Sequence, residues 1–388
     1  MAQSAAVLWH VARCAPPELR GAALGGVGLC RFVPVLLLSL WGGVLADRLD
    51  RKRIVLRTQT FQALLAAGLG VATLTGHASV GLLYGASALL GASGAFDLPA
   101  RQALLPRLVP PADLPNALTL GTIMFQIAAV LGPSLGGVLL AVSDDVSGPA
   151  WVYFLNAASF LASIGAVLAM RASGAAEPGS GAKPVRGDLL TGLRFVFSAP
   201  LLRSTMLLDF IAQLFAAATS LLPMYCQDVL HAGPVVYGWL YAAPSIGAIP
   251  AGAFMAWAID RIERRGVVLL AAVGVFAAAT VGFGLSTTVV GCFAALFVCG
   301  ASDTVSMVLR QVVRNLETPD ALRGRMTSVN KIFFQGGPQL GELEAGLVAQ
   351  RLGAPFSVIS GGVGCLVATL ALAAGSPALR RHRRAPRP

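Results

Sequence analysis

Long apolar segments recur along the 388-residue chain and constrain its fold more than any other feature. Each is long enough to cross a hydrocarbon core of about 30 Å as a helix. Only 12% of the residues are charged and the mean hydropathy is +0.73, which is outside the range of soluble globular proteins. The alternating pattern of a membrane β-barrel is absent. We therefore predict an all-α membrane protein with spans near residues 21–46, 54–75, 79–104, 116–142, 149–170, 199–222, 235–258, 266–286, 289–310, 326–349 and 357–375.

A polar stretch interrupts the apolar segments after the fifth span. Residues 171–190, RASGAAEPGSGAKPVRGDLL, are rich in Gly, Ala, Ser and Pro and lack the large apolar residues of a packed core. This composition predicts a linker, with five spans before it and six after it. The predicted organisation is an N-terminal half at 1–170, a cytoplasmic linker at 171–198, a C-terminal half at 199–375 and a basic tail at 376–388.

Basic residues are distributed unequally between the two sides of the predicted membrane. Alternating the loops places 25 of the 29 Lys and Arg residues on one side, and Arg13, Arg20, Arg31 and Arg351 on the other. By the positive-inside rule the basic side is cytoplasmic, so a multi-pass protein of the cell membrane with a cytoplasmic C-terminus is predicted. The net charge of +11 then reflects topology and attraction to anionic lipid headgroups, and no nucleic-acid partner is expected.

A charged loop, GGVLADRLDRKR, separates the spans near 21–46 and 54–75. Its pattern resembles the signature loop between helices two and three of the major facilitator superfamily; the matching residues are Gly43, Asp47, Arg48, Arg51 and Lys52. The resemblance implies the major facilitator fold of two six-helix repeats. In that family the aspartate and the first arginine belong to a cytoplasmic latch that opens during transport. The alternative is a positively charged membrane anchor without a latch.

Two further features of this loop affect the latch hypothesis. The family completes the latch with an arginine at the end of helix four, and Arg101 matches that position. The family's glycine between the two basic clusters is Asp50 here. Aspartate tolerates a left-handed turn better than most residues, so a turn at Asp50 remains compatible with the resemblance.

The two halves of the sequence resemble each other. The loop pattern recurs at Asp260 and Arg261, 213 residues after Asp47 and Arg48. A second set of residues recurs at an offset of 209: Gly91, Arg101, Gln126 and Gly132 match Gly300, Arg310, Gln335 and Gly341. An internal repeat is typical of transporters whose substrate site lies between the repeats. Asp260 and Arg261 are accordingly predicted to form a second latch.

The span near 116–142 contains the run LGPSLGG. Proline removes a backbone donor and glycine removes side-chain bulk, so this helix is predicted to bend and to pack closely at one place. The run resembles the fifth-helix export motif of the drug/proton antiporters, carried here by Gly132, Pro133, Gly136 and Gly137. The alternative is glycine-mediated packing without a role in export.

Several other stretches resemble the enterobactin-exporter-like subgroup of the superfamily. They are residues 96–106, 318–320, 323–325 and 334–337. That subgroup handles siderophores, macrolides and other small hydrophobic molecules. The resemblance implies efflux and leaves the substrate open.

Carboxylates inside the predicted spans are candidates for proton coupling. They are Asp209, Asp303, Glu342 and Glu344. Each costs roughly 2.5 to 3.5 kcal/mol at a helix centre, so a role in an ion pathway is the first hypothesis. Asp209 and Asp303 rank first because they lie on the seventh and tenth helices, which line the cavity in the family. The alternative is that each carboxylate pairs with a nearby base or faces water.

The predicted function is secondary active export of small, largely hydrophobic molecules by proton antiport. We expect membrane lipids as partners, a monomer, no cofactor and no enzyme activity, because GxSxG and Walker motifs are absent and the histidines and cysteines lack metal-ligand spacing. The main alternative is a truncated, non-transporting remnant or membrane scaffold of the same fold. A membrane-embedded transferase is a weaker alternative, because no clustered His, Asp or Glu constellation is present.

The first residues of the chain are too few to form a complete span. Residues 1–12, MAQSAAVLWHVA, are apolar but shorter than the roughly 17 residues that a span needs, and a polar turn follows at 13–20. In the family this segment matches the outer end of helix one. We expect a chain that starts late and lacks most of that helix, with a groove beside the central cavity.

Overall fold

The computed structural model describes residues 1–142, 147–170, 193–215, 218–319 and 322–383. Within these ranges the description excludes the side chains of residues 40, 42–44, 46–48, 218, 323–325, 327–329 and 331–335. The described residues contain helices and turns and no strand, as predicted.

Six helices precede the segment at 171–192, which lies outside the described residues. They are α1 (Ala2–Cys14), α2 (Arg20–Arg48), α3 (Arg51–Leu74), α4 (Val80–Leu104), α5 (Leu114–Val142) and α6 (Ser147–Ala169). The helices that follow it are α7 (Pro200–Phe215), α8 (Leu222–Asp228), α9 (Pro234–Ala258), α10 (Arg265–Leu285), α11 (Val289–Glu317), α12 (Arg323–Leu352), α13 (Ala354–Gly375) and the short α14 (Pro377–Arg381).

The apolar segments of the sequence predicted most ends of the long helices to within a few residues. Eight candidate spans in the described residues are long and apolar enough to cross a membrane. Three more predicted spans form helices of sufficient length, α4, α9 and α12, but are less apolar than these eight. Their polar, glycine and proline residues lower the hydropathy, so the total of eleven spans stays a prediction.

The predicted span at 199–222 differs most from the structure. Its described part consists of α7, a 3₁₀ turn at Ala218–Leu221 and α8, and it continues to Asp228, while residues 216 and 217 lie outside the description. Pro223 lies in the first turn of α8, where its missing N–H has no partner to lose. The proline therefore allows a new helix to begin where an uninterrupted span was expected.

Two compact units divide the chain. Unit 1 comprises Met1–Pro17, Gly26–Val185 and Gly233–Gly238, and the rest of the chain forms unit 2. In unit 1, α3 packs against α4 and α6, and α5 packs against α1 and α6. A small core of Ile54, Val55, Ala100 and Val167 joins α3, α4 and α6.

Helix α1 is an integral part of unit 1. Its apolar residues from Ala5 to Ala12 are buried against α5 and α6. The Nδ1 atom of His10 lies 3.1 Å from the hydroxyl of Tyr153, and the amide of Asn156 donates to the side chain of Gln3. These hydrogen bonds dock α1 by specific contacts as well as by apolar packing.

Unit 2 is built around α10, which packs against α11 and α13, while α7 packs against α12 and α13. One core of the unit includes Leu208, Leu269, Leu309 and Leu379, which come from four different helices. Between helices in lipid such contacts stabilise the unit through van der Waals packing, since lipid tails are as apolar as leucine. Because Leu379 belongs to α14, the short final helix is anchored in this core.

Candidate functional site

Arg310 is the largest fully buried side chain of the described residues and lies on α11 in unit 2. Its Nη2 atom is 3.0 Å from Oδ1 of Asp209 on α7 and 3.4 Å from Oδ1 of Asp303 on its own helix. Its Nη1 atom donates to the hydroxyl of Ser306 at 2.9 Å. The structure therefore brings the two first-ranked carboxylates, Asp209 and Asp303, to one guanidinium.

The two carboxylates differ in exposure. The side chain of Asp209 is 3% exposed, whereas that of Asp303 is 35% exposed. An ion pair with Arg310 offsets the desolvation cost of Asp209, which would be several kcal/mol for an isolated buried charge. Asp303 needs less compensation because it is less buried. The guanidinium thus joins a buried acid to a partly exposed one.

A cavity of about 240 Å³ lies beside this cluster within unit 2. It is lined by Asp209, Met307, Arg310, Gln311, Arg314, Asn315, Met326 and Asn330. The cavity lies beside the middle of α7, the last part of α11 and the first part of α12. Asp209 is nine residues into α7 from Pro200, which places it about 14 Å from that end of the helix.

Arg314 adds a second guanidinium to the cavity. It is buried one turn after Arg310, and its Nη1 atom donates to Oδ1 of Asn330 on α12. The cavity therefore contains two cationic groups, one buried carboxylate and several amides. Such a lining binds water and polar groups readily and distinguishes this region from the apolar core around it.

The equivalent position in the first half is occupied differently. Arg101 corresponds to Arg310, and its Nε atom forms an ion pair of 2.7 Å with Asp97, four residues earlier on α4. Thr58 of α3 donates to the other oxygen of Asp97 at 2.9 Å. In the second half, the residue equivalent to Asp97 is Ser306, so Arg310 takes its carboxylate partners from elsewhere. The two halves thus share an arginine at this position, but the carboxylates that pair with it lie at different positions.

The structure describes only part of the signature loop. The side chains of Asp47 and Arg48 and the packing of Gly43 lie outside the described residues. The latch between Asp47 and Arg101 therefore stays a prediction, with Arg101 placed beside Asp97. Arg51 is buried at the first turn of α3.

Asp50 and Lys52 have local roles in this loop. Asp50 is the N-cap of α3, and its side chain accepts hydrogen bonds from the backbone N–H groups of Lys52 and Arg53. Its φ of −62° is an ordinary value, so the left-handed turn considered from the sequence is not formed. The Nζ atom of Lys52 donates to the carbonyl of Met170 at 2.7 Å, where it satisfies the C-terminal end of α6.

The second loop has a different arrangement. Arg261 donates from Nη1 to the carbonyl of Trp257 at 2.6 Å, and its guanidinium lies 4.0 Å from the centre of the Trp257 ring. A cation over an indole at this distance is attracted by about 0.5 to 1 kcal/mol at an exposed site. Asp260, two residues after the end of α9, also interacts with other residues.

The predicted export motif on α5 consists of close helix contacts in unit 1. A Cβ atom at Gly137 would lie 2.6 Å from the carbonyl oxygen of Pro234 and 2.9 Å from Cα of Gly238. Gly132 makes a similarly close approach to the start of α1. Pro133 and Gly136 are buried beside them. The glycines therefore permit α5 to touch neighbouring backbones on two faces, as expected for close packing.

Glu342 and Glu344 lie on α12 and are half-buried. The backbone carbonyl of Glu342 lies against Gly25, where a Cβ atom would be only 2.6 Å away. Neither carboxylate lines the cavity beside Arg310. The structure thus separates these two candidates from Asp209 and Asp303. Among the described residues no group of three His, Cys, Asp or Glu side chains is placed to hold a metal ion.

The long apolar helices are shared with a known protein family. The chain matches the MFS_3 family, described as transmembrane secretion effector, over residues 2–382. The chain belongs to this family. As an MFS_3 member it is a multi-pass membrane transporter of the major facilitator superfamily.

Named relatives of this MFS_3 chain are exporters. It is 28% identical over 340 residues to the multidrug efflux pump Tap of Mycolicibacterium fortuitum, covering 84% of this chain and 80% of the pump. It is 28% identical over 346 residues to the enterobactin exporter EntS of Escherichia coli O1:K1 / APEC, covering 89% of this chain and 81% of the exporter.

Solved structures show the same fold at lower identity. A bacterial homologue of the human lysosomal transporter Spinster matches with a TM-score of 0.74 at 15% identity, covering 100% of this chain and 98% of that one. A bacterial homologue of the iron transporter ferroportin matches with a TM-score of 0.72 at 15% identity, covering 97% and 95%. The predicted major facilitator fold is confirmed.

The sequence alone does not reveal the base that joins the candidate acids. The internal repeat identifies Arg310 as the match of Arg101 but assigns no partner to it. A usable signal was its place inside an apolar helix, seven residues after Asp303, because residues at that spacing lie on one helix face. The contact with Asp209 joins two helices, and no spacing in the sequence encodes it.

Proposed function

We propose that this MFS_3 chain exports small, largely hydrophobic molecules in exchange for protons. Its similarity to Tap and EntS over most of each protein supports export as the direction of transport. No nucleotide-binding motif is present in the sequence, which supports an ion gradient as the energy source. The substrate would be a small molecule of the drug or siderophore type.

The observation that carries the proton part of this proposal is the Asp209–Arg310–Asp303 cluster. A carboxylate that takes up a proton loses its charge, so its base must find another acid or become an uncompensated buried cation. Arg310 has two carboxylates within 3.4 Å, and either can serve as its partner. Protonation of Asp209 would leave Arg310 paired with Asp303, and deprotonation would restore the first pair.

This exchange supplies a two-state element of the kind that coupled transport needs. The buried acid would receive its proton through the adjacent cavity, and the change of partner would alter how α7 is held to α11. Asp209 is assigned as the proton carrier and Asp303 as the alternate partner of Arg310. Glu342 and Glu344 are secondary candidates, since they lie away from this cavity.

The remaining site residues would control alternating access. Asp47, Arg48, Arg51, Lys52 and Arg101 would form one cytoplasmic latch, while Asp260 and Arg261 would form its counterpart in the second repeat. The two repeats would correspond to residues 1–170 and 199–375. The glycines of α5 would support export by close helix packing. The transporter would act as a monomer in the cell membrane with its C-terminus in the cytoplasm.

Efflux of a compound panel from cells that express the chain tests this proposal. Cells would be loaded with dyes, macrolides and catecholates, and efflux would be followed with and without a protonophore. We expect efflux of at least one hydrophobic compound that stops when the proton gradient is removed. Efflux that persists without the gradient would contradict antiport. Correct membrane insertion with no efflux of any compound would favour the scaffold alternative.

A further inference from the structure

A groove of about 440 Å³ runs between α7 and α13 in unit 2. It is separate from the cavity beside Arg310 and shares no lining residue with it. One end lies at the start of α7, the end of α13 and the start of α14. The residues that matter for its chemistry are Arg203, Leu207, Ile211, Ala368, Ala371 and Leu372.

The body of the groove is apolar. Arg203, Leu207 and Ile211 follow one another at intervals of four on α7, so they lie along one face of the helix over about 12 Å. On α13 the facing residues include Ala368 and Ala371, whose small side chains leave the space open. The shape matches an extended hydrocarbon chain more closely than a compact polar ligand.

The end of the groove is cationic. Arg203 is exposed, and its guanidinium has no hydrogen-bond or ion-pair partner in the part of the chain that the structure describes. Arg380 and Arg381 follow on α14, and both are exposed. No acidic side chain lines the groove in that part of the chain. A negatively charged group at this end would therefore meet positive charge without an opposing carboxylate.

Two buried hydroxyl groups line the groove at its charged end. The hydroxyls of Ser204 and Ser376 are buried and 2.8 Å apart, joining α7 to the start of α14. Leu379 of α14 is fully buried in the core of the unit. Three elements, α7, α13 and α14, thus meet at the cationic end of the groove, and one ligand there would contact all of them.

We propose that this groove binds an anionic phospholipid. Its phosphate would pair with Arg203, with Arg380 and Arg381 nearby, and one acyl chain would lie along Leu207, Ile211 and Ala371. In a membrane protein, a groove at the end of the spanning helices lies close to the lipid headgroups. There each basic residue contributes about 1 kcal/mol of attraction to anionic lipid. The lipid would hold α7, α13 and α14 together. This inference goes beyond the proposed export function and does not depend on it.

The test uses the full-length protein, purified in a mild detergent and stripped of lipid. Phosphatidylglycerol and phosphatidylcholine with identical acyl chains are added separately, and the shift in Tm is measured as a function of lipid concentration. The variants are Arg203→Gln, Ala371→Phe and, as a control, Arg351→Gln. Arg351 is an exposed arginine on α12 that does not line the groove. Arg203 and Ala371 are also exposed, so all three variants are expected to fold.

We expect phosphatidylglycerol to raise Tm at lower concentration than phosphatidylcholine. Arg203→Gln should weaken phosphatidylglycerol binding by roughly fivefold, the equivalent of one basic contact, and should reduce the preference over phosphatidylcholine by the same factor. Ala371→Phe should reduce stabilisation by both lipids, because the ring fills the acyl position. Arg351→Gln should behave like the wild type.

Three results would overturn the proposal. The first is an unchanged phosphatidylglycerol preference in Arg203→Gln. The second is equal stabilisation by the two lipids in the wild type. The third is full stabilisation by glycerol phosphate, which lacks acyl chains and would assign the effect to a simple anion.

Discussion

Arg310 and Asp209 form an ion pair of 3.0 Å between α11 and α7, and the two side chains are only 2% and 3% exposed. Removing one member of such a pair typically costs about 3 to 5 kcal/mol, because the other charge is left buried without compensation. Here Asp303 lies 3.4 Å from the same guanidinium and reduces that cost. In the proposed exchange, the second acid would keep Arg310 paired when Asp209 is protonated.

Replacing Gly137 by Ala should destabilise the protein by about 1 to 3 kcal/mol, because the added methyl group overpacks a backbone contact. Its Cβ atom would lie 2.6 Å from the carbonyl of Pro234. Gly121→Ala on the same helix is the control, since a Cβ atom there meets no atom within 4 Å. Thermal unfolding in detergent compares the two variants. Equal Tm values would contradict close packing at Gly137.

Replacing Asp50 by Ala should cost about 1 kcal/mol, because the N-cap of α3 is lost. The two backbone N–H groups that Asp50 now accepts from would lose this acceptor. Asp50→Asn should remain close to the wild type, because its amide oxygen can still accept. Chemical denaturation of the three proteins measures the difference. A stable Ala variant would show that the cap contributes nothing.

The docking of α14 should weaken as the pH falls below about 6.5, the ordinary pKa of histidine. Burial lowers the pKa of His382 in the fold; the nearby Glu317 opposes this shift and Arg265 reinforces it. The unfolded tail therefore binds a proton more readily than the docked tail, and the stability present above the ordinary pKa is lost as the pH falls.

Hydrogen exchange of the amides at 378–382, corrected for intrinsic rates, tests the prediction for the tail between pH 5.5 and 7.5. Protection should decrease at the acidic end in the wild type. In His382→Gln the protection should be independent of pH over this range, because the amide does not titrate. A wild-type profile as flat as that of the variant would contradict the prediction.

Asp47→Asn should reduce efflux while leaving membrane insertion unchanged, because it removes a proposed latch charge without altering the apolar spans. Asp50→Asn is the matched control, since it makes the same chemical change in the same loop and preserves the N-cap. Efflux and surface expression are measured together. Normal transport by Asp47→Asn would remove the latch role from this residue.

The sequence predicted the helices better than their contacts. Apolar length placed the spans because a helix that crosses lipid must be continuous and apolar over about 20 residues. The 3₁₀ turn at Ala218–Leu221 was missed, although Pro223 marks the start of the next helix. Asp50 was considered for a left-handed turn, whereas its position before a basic helix start is equally typical of an N-cap.

The candidate acids were found from the sequence because charges in apolar spans are costly. Their arrangement was not, since the contact between Asp209 and Arg310 depends on how two distant helices pack. The pair of Asp97 and Arg101 is different: its spacing of four residues is visible in the sequence, and the assignment of Arg101 to the latch left it unnoticed. Local pairs can be derived from spacing, while pairs between helices require the fold.

Proton movement during substrate transport in proteoliposomes tests the central claim most directly. The protein is reconstituted with a substrate from the efflux panel, and a pH-sensitive dye reports proton flux when the substrate moves down its gradient. The wild type and Asp228→Asn should couple substrate to protons, since Asp228 belongs to a more exposed ion pair with Arg20. Asp209→Asn should pass substrate with no accompanying proton flux. A wild-type ratio of protons to substrate in Asp209→Asn would contradict the account.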